Sequence, residues 1–398
     1  MQAHADLVVV GAGPAGTAAA MTARARGLDV VVLDRATFPR DKTCGDGLTA
    51  AALRLLERLG VEVTRLPAAS VRSVVVVGPD RWQVELPLPD AGLHAAVVTR
   101  ADLDAALVAR AEALGVTVRA GVGVEGVEED ADGLVVRTVD GGTVHAPAVI
   151  AADGHYSSVR RARGATAPDL GTWHAVRQYY DAVGDPRLWV IFEPDLLPGY
   201  AWVFPLPGGR ANVGFGVLRR AGHDGHRLAA LWPELLARDP MRQALGPRAV
   251  PEGRHRAWPI PSVYDRARLA DGRILYAGDA AGVVDPLTGE GIAQAIESGA
   301  LAAEAVAGGG PPGAIADRYR RTVDAALGRD LRFAAVLSRV LGSRWGATAA
   351  IRAAGATGWT RRHFARWMFE DYPRAAVFTP DRWRRQLFTP AGAFEPTA

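Results

Sequence analysis

The chain reads as an α/β protein: a Rossmann-like domain, interrupted by a mainly antiparallel β-sheet domain and followed by a helical C-terminal region. Three observations predict this. A glycine turn joins a short apolar strand to an alanine-rich helix near the start; strand–helix alternation marks both ends of the first 310 residues; and the stretch between them carries apolar and aromatic residues at strand spacing. At 398 residues there is room for two domains, or for one large domain with an insertion. The reading assigns residues 1–65, 98–170 and 270–310 to the first domain, 66–97 and 171–269 to the sheet domain, and 311–398 to the helical region.

Leu7–Val10 is apolar and β-branched and is bounded by a glycine turn, as a buried parallel strand requires. Strong helix formers fill Ala15–Arg26 and Gly27 stops them; Asp29–Leu33 is a second strand, which completes a β-α-β unit. Alanine-rich segments predict helices over Ala50–Leu59 and Ala101–Leu114. Between them, Val71–Val77 and Trp82–Leu86 form an antiparallel hairpin turned at Gly78-Pro79-Asp80. Short strands follow at Val116–Val118, Val124–Glu128, Leu134–Val139 and Val144–Ile150. Trp173 to Gly216 suits an antiparallel sheet, Ile274–Ala277 a buried strand and Gly291–Ala307 a helix. From about Pro312, after a Gly-Gly-Gly-Pro-Pro linker, the chain is helical and rich in arginine.

Composition narrows the class. Hydrophobic residues at 49% and charged residues at 22% are ordinary for a folded soluble protein. Cys44 is the only cysteine, which rules out an internal disulfide and a cysteine-based zinc cluster and suits a reducing, cytoplasmic compartment. The first strand begins almost at once, so no signal peptide is expected ahead of it, and no apolar run approaches the roughly 20 residues of a membrane-spanning helix. Net charge is +3, nearly all the cations are arginines, and Lys42 is the one lysine. That mild balance argues against a nucleic-acid partner.

Gly11-Ala12-Gly13-Pro14-Ala15-Gly16 fits GxGxxG between a predicted strand and a predicted helix. Gly11 permits the tight turn, Gly13 lets a pyrophosphate approach the backbone, and Gly16 lets helix pack on strand. The helix N-terminus then offers N–H groups and a favourable dipole to the phosphates. Asp34 closes the second strand, where a carboxylate accepts from ribose hydroxyls, and Arg35 adjoins it. The motif alone does not separate FAD from NAD. Two later strands also end in acidic turns: Val149–Ala152 runs into Asp153-Gly154, then Ser157, Ser158 and Arg160, and Leu275–Ala277 runs into Gly278-Asp279. The second continues through Pro286-Leu287-Thr288-Gly289-Glu290-Gly291 to Ile292 and a helix. Asp279 suits a ribityl hydroxyl, and the backbone N–H groups around Gly289–Ile292 suit the flavin pyrimidine edge.

In this order the three motifs resemble those of the p-hydroxybenzoate hydroxylase superfamily of flavoproteins, over most of residues 5–305. The resemblance implies one FAD and a substrate sheet facing its ring. It also implies that Arg100, heading a helix, touches the cofactor.

Two further stretches narrow the likeness. Asp41-Lys42-Thr43-Cys44-Gly45-Asp46-Gly47-Leu48 follows the second strand, and Tyr200-Ala201-Trp202-Val203-Phe204-Pro205 precedes Gly214-Phe215-Gly216. Both resemble the marks of the geranylgeranyl reductase family, a Cys-Gly-Asp-Gly loop and YxWxFP followed by GxG. The resemblance implies reduction of isolated double bonds in an isoprenoid chain, with Tyr200, Trp202, Phe204, Pro205, Gly214 and Gly216 around the substrate. Alternation sets Tyr200, Trp202 and Phe204 on one strand face, an apolar wall for an uncharged alkene. Reduced FAD delivers a hydride; Cys44 or a bound water can supply the proton, and Cys44 with Gly45 also stands to touch the cofactor. Tyr200, Trp202 and Cys44 are therefore the candidate catalytic residues.

The electron source leaves no second fingerprint; NAD(P)H and a ferredoxin-like protein both remain open. In the tail, Leu331, Phe333, Val336, Leu337, Val340 and Leu341 follow helical spacing among Arg332, Arg339 and Arg344, followed by Trp345, Trp359, Arg361, Arg362, Trp367 and Trp383. An amphipathic helix packed on its own protein and a peripheral contact with the inner face of a membrane both fit. The main rival function is a flavin monooxygenase. A flavin halogenase fits less well, because its tryptophan motif reads WxWxIP; a non-catalytic flavin-binding partner fits least.

Overall fold

Strands made of Val, Ile and Leu on both faces need both faces covered. The computed structural model, which describes residues 2–88, 92–131, 133–164, 173–219, 225–266 and 268–369, supplies that cover. Ile274–Tyr276, Val149–Ala151, Leu7–Val10, Val30–Asp34 and Thr117–Ala120 lie parallel in that order, and Ala270–Asp271 pairs antiparallel at one edge. Leu7, Val8, Val9, Val149 and Ile150 are wholly buried. Helices Pro14–Ala25 and Ile292–Ala307 meet through small residues; a β-carbon at Gly299 would collide with the Ala15 carbonyl.

The sequence reading joined Val144–Ile150 into one strand, and the structure divides it. Thr143–Ala146 belongs to a separate four-stranded sheet with Gln2–His4, Leu134–Thr138 and Val124–Glu129, whereas Val149–Ala151 enters the parallel sheet. Pro147, which lacks an N–H, lies at the break.

The second large sheet has seven strands, ordered Val250–Ile260, Trp173–Asp181, Arg210–Leu218, Ala201–Leu206, Leu188–Ile191, Ser73–Val77 and Gln83–Pro87. All pairs are antiparallel except Leu188–Ile191 on Ser73–Val77. The predicted hairpin is there, with Arg81 in the turn at φ +69°. One sheet face, with Val75, Trp189, Val203 and Phe215, packs under helices Gly225–Leu236 and Asp239–Leu245. These helices and the strand Val250–Ile260 were not legible in the sequence. That strand lies at an edge, carries Pro251, Pro259 and a run of charged residues, and is mostly exposed, so no apolar alternation marks it.

Helices Pro312–Val323, Arg329–Leu341, Arg344–Gly355 and Gly358–Phe369 follow, and the last two pack on Gln83–Pro87. No described helix is long and apolar enough to cross a membrane. Trp383 lies outside the described residues.

Candidate functional site

A cavity of about 1390 Å³ is lined by residues of both large sheets and of the C-terminal helices. One part carries the glycine turn, arginines and acids. The other is hydrocarbon, with Val74, Val76, Leu188, Val190, Phe192 and Leu86 from the seven-stranded sheet, and Leu337, Leu341, Ile351, Phe364 and Met368 from the helices.

The phosphate end is built from the first turn. Gly11 has φ +99°, and a β-carbon there would overlap the Ala152 backbone; one at Gly16 would collide with the Gly11 carbonyl oxygen, so strand and helix touch. The helix starts at Gly13 with no side-chain cap, which leaves its first N–H groups for an anion. Arg40 and Arg100 flank Gly13, each with a guanidinium nitrogen under 4 Å from where a β-carbon would sit, at 3.7 and 3.8 Å. Arg100 also pairs with Asp104. Burial works against its charge, but Asp104 outweighs it and Arg100 stays firmly cationic. Asp34 accepts from the N–H groups of Ala12 (2.7 Å) and Ala36 (2.8 Å), which pins the turn to the end of the second strand. A carboxylate with two acceptor oxygens keeps capacity for a ribose. The donors, the dipole and the acid fit a dinucleotide.

The later motifs are cross-tied. Asp153 Oδ2 accepts from Ser158 through N–H (2.7 Å) and Oγ (3.0 Å), while its buried Oδ1 has no protein partner. Arg160 donates to the Ala280 carbonyl at 2.7 Å and lies over the Tyr276 ring, so the Asp-Gly and Gly-Asp segments are held together. Helix Ile292–Ala307 starts at Gly291 without a side-chain cap. The loop before it is fixed by Asp285 Oδ1, which accepts from the N–H groups of Leu287 and Thr288, and by Tyr200, whose hydroxyl donates to the Thr288 carbonyl. Thr49 donates to Glu290 at 2.5 Å. Lys42 lies 3.9 Å from Asp279 and over the Trp258 ring, and burial lowers its pKa.

Tyr200, Trp202 and Phe204 form a continuous row, with ring centroids 6.0 and 5.9 Å apart, facing the cavity. The Cys-Gly-Asp-Gly loop lies on this row: β-carbons at Gly45 and Gly47 would meet the Phe204 ring at 3.5 and 3.3 Å. Burial pushes the Cys44 thiol above its ordinary range, so it keeps its proton at neutral pH. Trp202 donates its indole N–H to Asn212 Oδ1 at 2.9 Å.

Of the residues singled out from the sequence, the cavity wall includes Gly11, Gly13, Pro14, Ala15, Asp34, Arg35, Cys44, Gly45, Arg100, Asp153 and Gly154. It also includes Tyr200, Trp202, Phe204, Gly216, Gly278, Asp279, Pro286, Gly289, Gly291 and Ile292. Gly16, Pro205 and Gly214 are not on it. Gly16 sits behind the turn, Pro205 alternates to the other strand face, and Gly214 backs the Trp202 ring, which a β-carbon would strike. Sequence reasoning missed Arg40, Tyr179 and Asn212, and read Asp46 only as part of the Cys-Gly-Asp-Gly loop, with no role of its own. Asp104, one turn after Arg100, was the one detectable signal for the arginine pair.

The chain is similar to known proteins. The family model described as FAD binding domain matches residues 4–308. A menaquinone reductase of Mycolicibacterium smegmatis is 38% identical over 78% of this chain and 78% of its own length. Digeranylgeranylglycerophospholipid reductase 1 of Methanopyrus kandleri is 34% identical over 75% of this chain and 79% of its own. The crystal structure of a geranylgeranyl bacteriochlorophyll reductase-like protein from Thermoplasma acidophilum superposes with a TM-score of 0.80 at 23% identity, covering 96% of this chain and 100% of that one.

Proposed function

The chain belongs to the FAD-binding domain family, among the reductases of the geranylgeranyl reductase type, and from that membership we propose that it saturates isolated carbon–carbon double bonds in an isoprenoid chain. The observation that carries the reading is the mixed lining of one cavity. Tyr200, Trp202 and Phe204 line the same cavity as the glycine turn with its arginines and acids, and as the apolar side chains of the sheet and the C-terminal helices. An alkene carries no charge, so its binding must come from buried hydrocarbon, at about 0.8 kcal/mol per CH₂.

A reduced flavin in this cradle supplies a hydride. The chain's own residues do the rest. Gly11, Gly13 and the two arginines would hold the pyrophosphate, Asp34 the ribose, and the uncapped start of Ile292–Ala307 the flavin ring. The aromatic row orients the olefin and excludes water. Cys44 lines the same cavity and carries a proton on Sγ, which burial keeps there. A prenylated quinone or a geranylgeranyl lipid is the substrate class we favour, with electrons from NAD(P)H or a ferredoxin-like protein.

Such a substrate resides in a bilayer, and the C-terminal helices suit collecting it. Leu337 and Leu341 face the cavity, whereas Val336, Val340, Trp345 and Trp359 are exposed, with Trp345 at 87%. Residues 331–369 hold seven arginines and no acid, which favours an anionic membrane face.

The test is turnover without oxygen. A polyprenyl substrate gaining two mass units anaerobically supports reduction; a gain of sixteen that requires O₂ makes the protein a monooxygenase.

A further inference from the structure

Asp46 belongs to no role described so far, and its setting is unfavourable unless it serves one. It is a non-glycine residue at φ +63°, it is fully buried, and it lines the cavity. Its Oδ2 accepts from the Tyr179 hydroxyl at 2.7 Å and from Asn212 Nδ2 at 2.8 Å. Its Oδ1 is buried with no protein partner. A side chain selected for packing alone would be neutral there.

Asn212, also fully buried, is the hub. Its Nδ2 donates to Asp46 and, at 2.8 Å, to the Cys44 carbonyl, so its Oδ1 is left to accept the Trp202 indole N–H. With two acceptors on one side and one donor on the other, the amide has a single satisfied orientation. We propose that Asp46 is a positioning residue: as a carboxylate it locks the Asn212 amide, and through it holds the Trp202 ring and the Cys44 carbonyl in fixed places at the substrate wall.

The charge of Asp46 is poised. Burial raises its pKa to about 6, while Tyr179 and Asn212 through hydrogen bonds, and Arg177 and Arg100 through their charge, pull it back. Those groups come from Trp173–Asp181, Arg210–Leu218 and Arg100–Ala113, and the neighbouring thiol of Cys44 is held protonated. Falling pH therefore neutralises Asp46, weakens Oδ2 as an acceptor and loosens the lock.

The inference rests on the reductase reading only for its effect on turnover; the lock itself is tested without substrate. In the full-length FAD-loaded protein labelled with ¹⁵N at the indoles, the Trp202 resonance is assigned by its loss in Trp202→Phe. It is expected to titrate with a midpoint near 6 in the wild type, and to stay flat in Asp46→Asn. Asparagine suits the left-handed backbone and keeps an acceptor oxygen. The unfolding midpoint of Asp46→Asn at pH 7.5 should rise by about 2–4 °C, while kcat falls about tenfold or more and FAD content is unchanged. An indole signal indifferent to pH between about 5 and 7 overturns the proposal, as does a variant that melts lower and turns over normally. If Asp46→Asn fails to fold, the wild-type titration decides alone.

Discussion

Arg100 grips Asp104 one helical turn away through two hydrogen bonds, 2.9 Å from Nε and 2.8 Å from Nη2, with both side chains buried. Arg40 approaches the same Oδ2 to 2.9 Å, so two cations share one carboxylate beside Gly13. The surplus positive charge is what a pyrophosphate neutralises. Arg100→Ala is expected to weaken FAD binding about 10- to 100-fold, by fluorescence titration of the apoprotein. Asp104→Ala strips the buried Arg100 and the half-buried Arg40 of their shared carboxylate and should cost about 3–5 kcal/mol of stability in urea unfolding.

Cys44 gives a pH prediction of opposite sense to that of Asp46. Burial raises the thiol pKa, so its neutral form persists to higher pH than an ordinary cysteine's. If the S–H supplies the proton, turnover stays level as pH rises through about 8.5, where a free thiol ionises, and declines only above it. Cys44→Ala should lower kcat about 100-fold with FAD retained; unchanged kcat would assign the proton to water.

Asp46 predicts a stability window. Its pKa is about 6 in the fold against an ordinary 3.8 for an aspartate, so the folded state binds the proton more tightly. The carboxyl's contribution is present below about pH 4 and is lost as pH rises through 6. Relative to wild type, Asp46→Asn should gain on the order of 2–3 kcal/mol across that interval and nothing further above it.

Trp345 and Trp359, exposed on adjacent helices, test the bilayer contact. The double alanine variant is expected to lose co-flotation with anionic liposomes while retaining turnover of a short, detergent-dispersed substrate. Flotation that survives places the contact elsewhere.

Local signals were the legible part. The glycine turn, the two acidic turns after strands and the Tyr200–Phe204 alternation each sit in a few consecutive residues, and each appears where the periodicity put it. The ties between motifs were not legible, because their partners lie far apart in the chain. Asn212 reaches Cys44 and Asp46, and Arg160 reaches Ala280, across more than a hundred residues. No local pattern announces such a pair. The edge strand Val250–Ile260 was hidden for another reason: solvent on its faces removes the alternation that reveals a half-buried strand.

The parallel seam between Ser73–Val77 and Leu188–Ile191 bears on how the polypeptide is made. The hairpin leaves the ribosome with one edge bare, long before its neighbour is synthesised, and that edge is a run of valines. Until the later strands emerge, it offers an open template to any passing chain. Expression yield in a heterologous host should therefore respond to holdase chaperones and to slower translation more than to any gain in native stability.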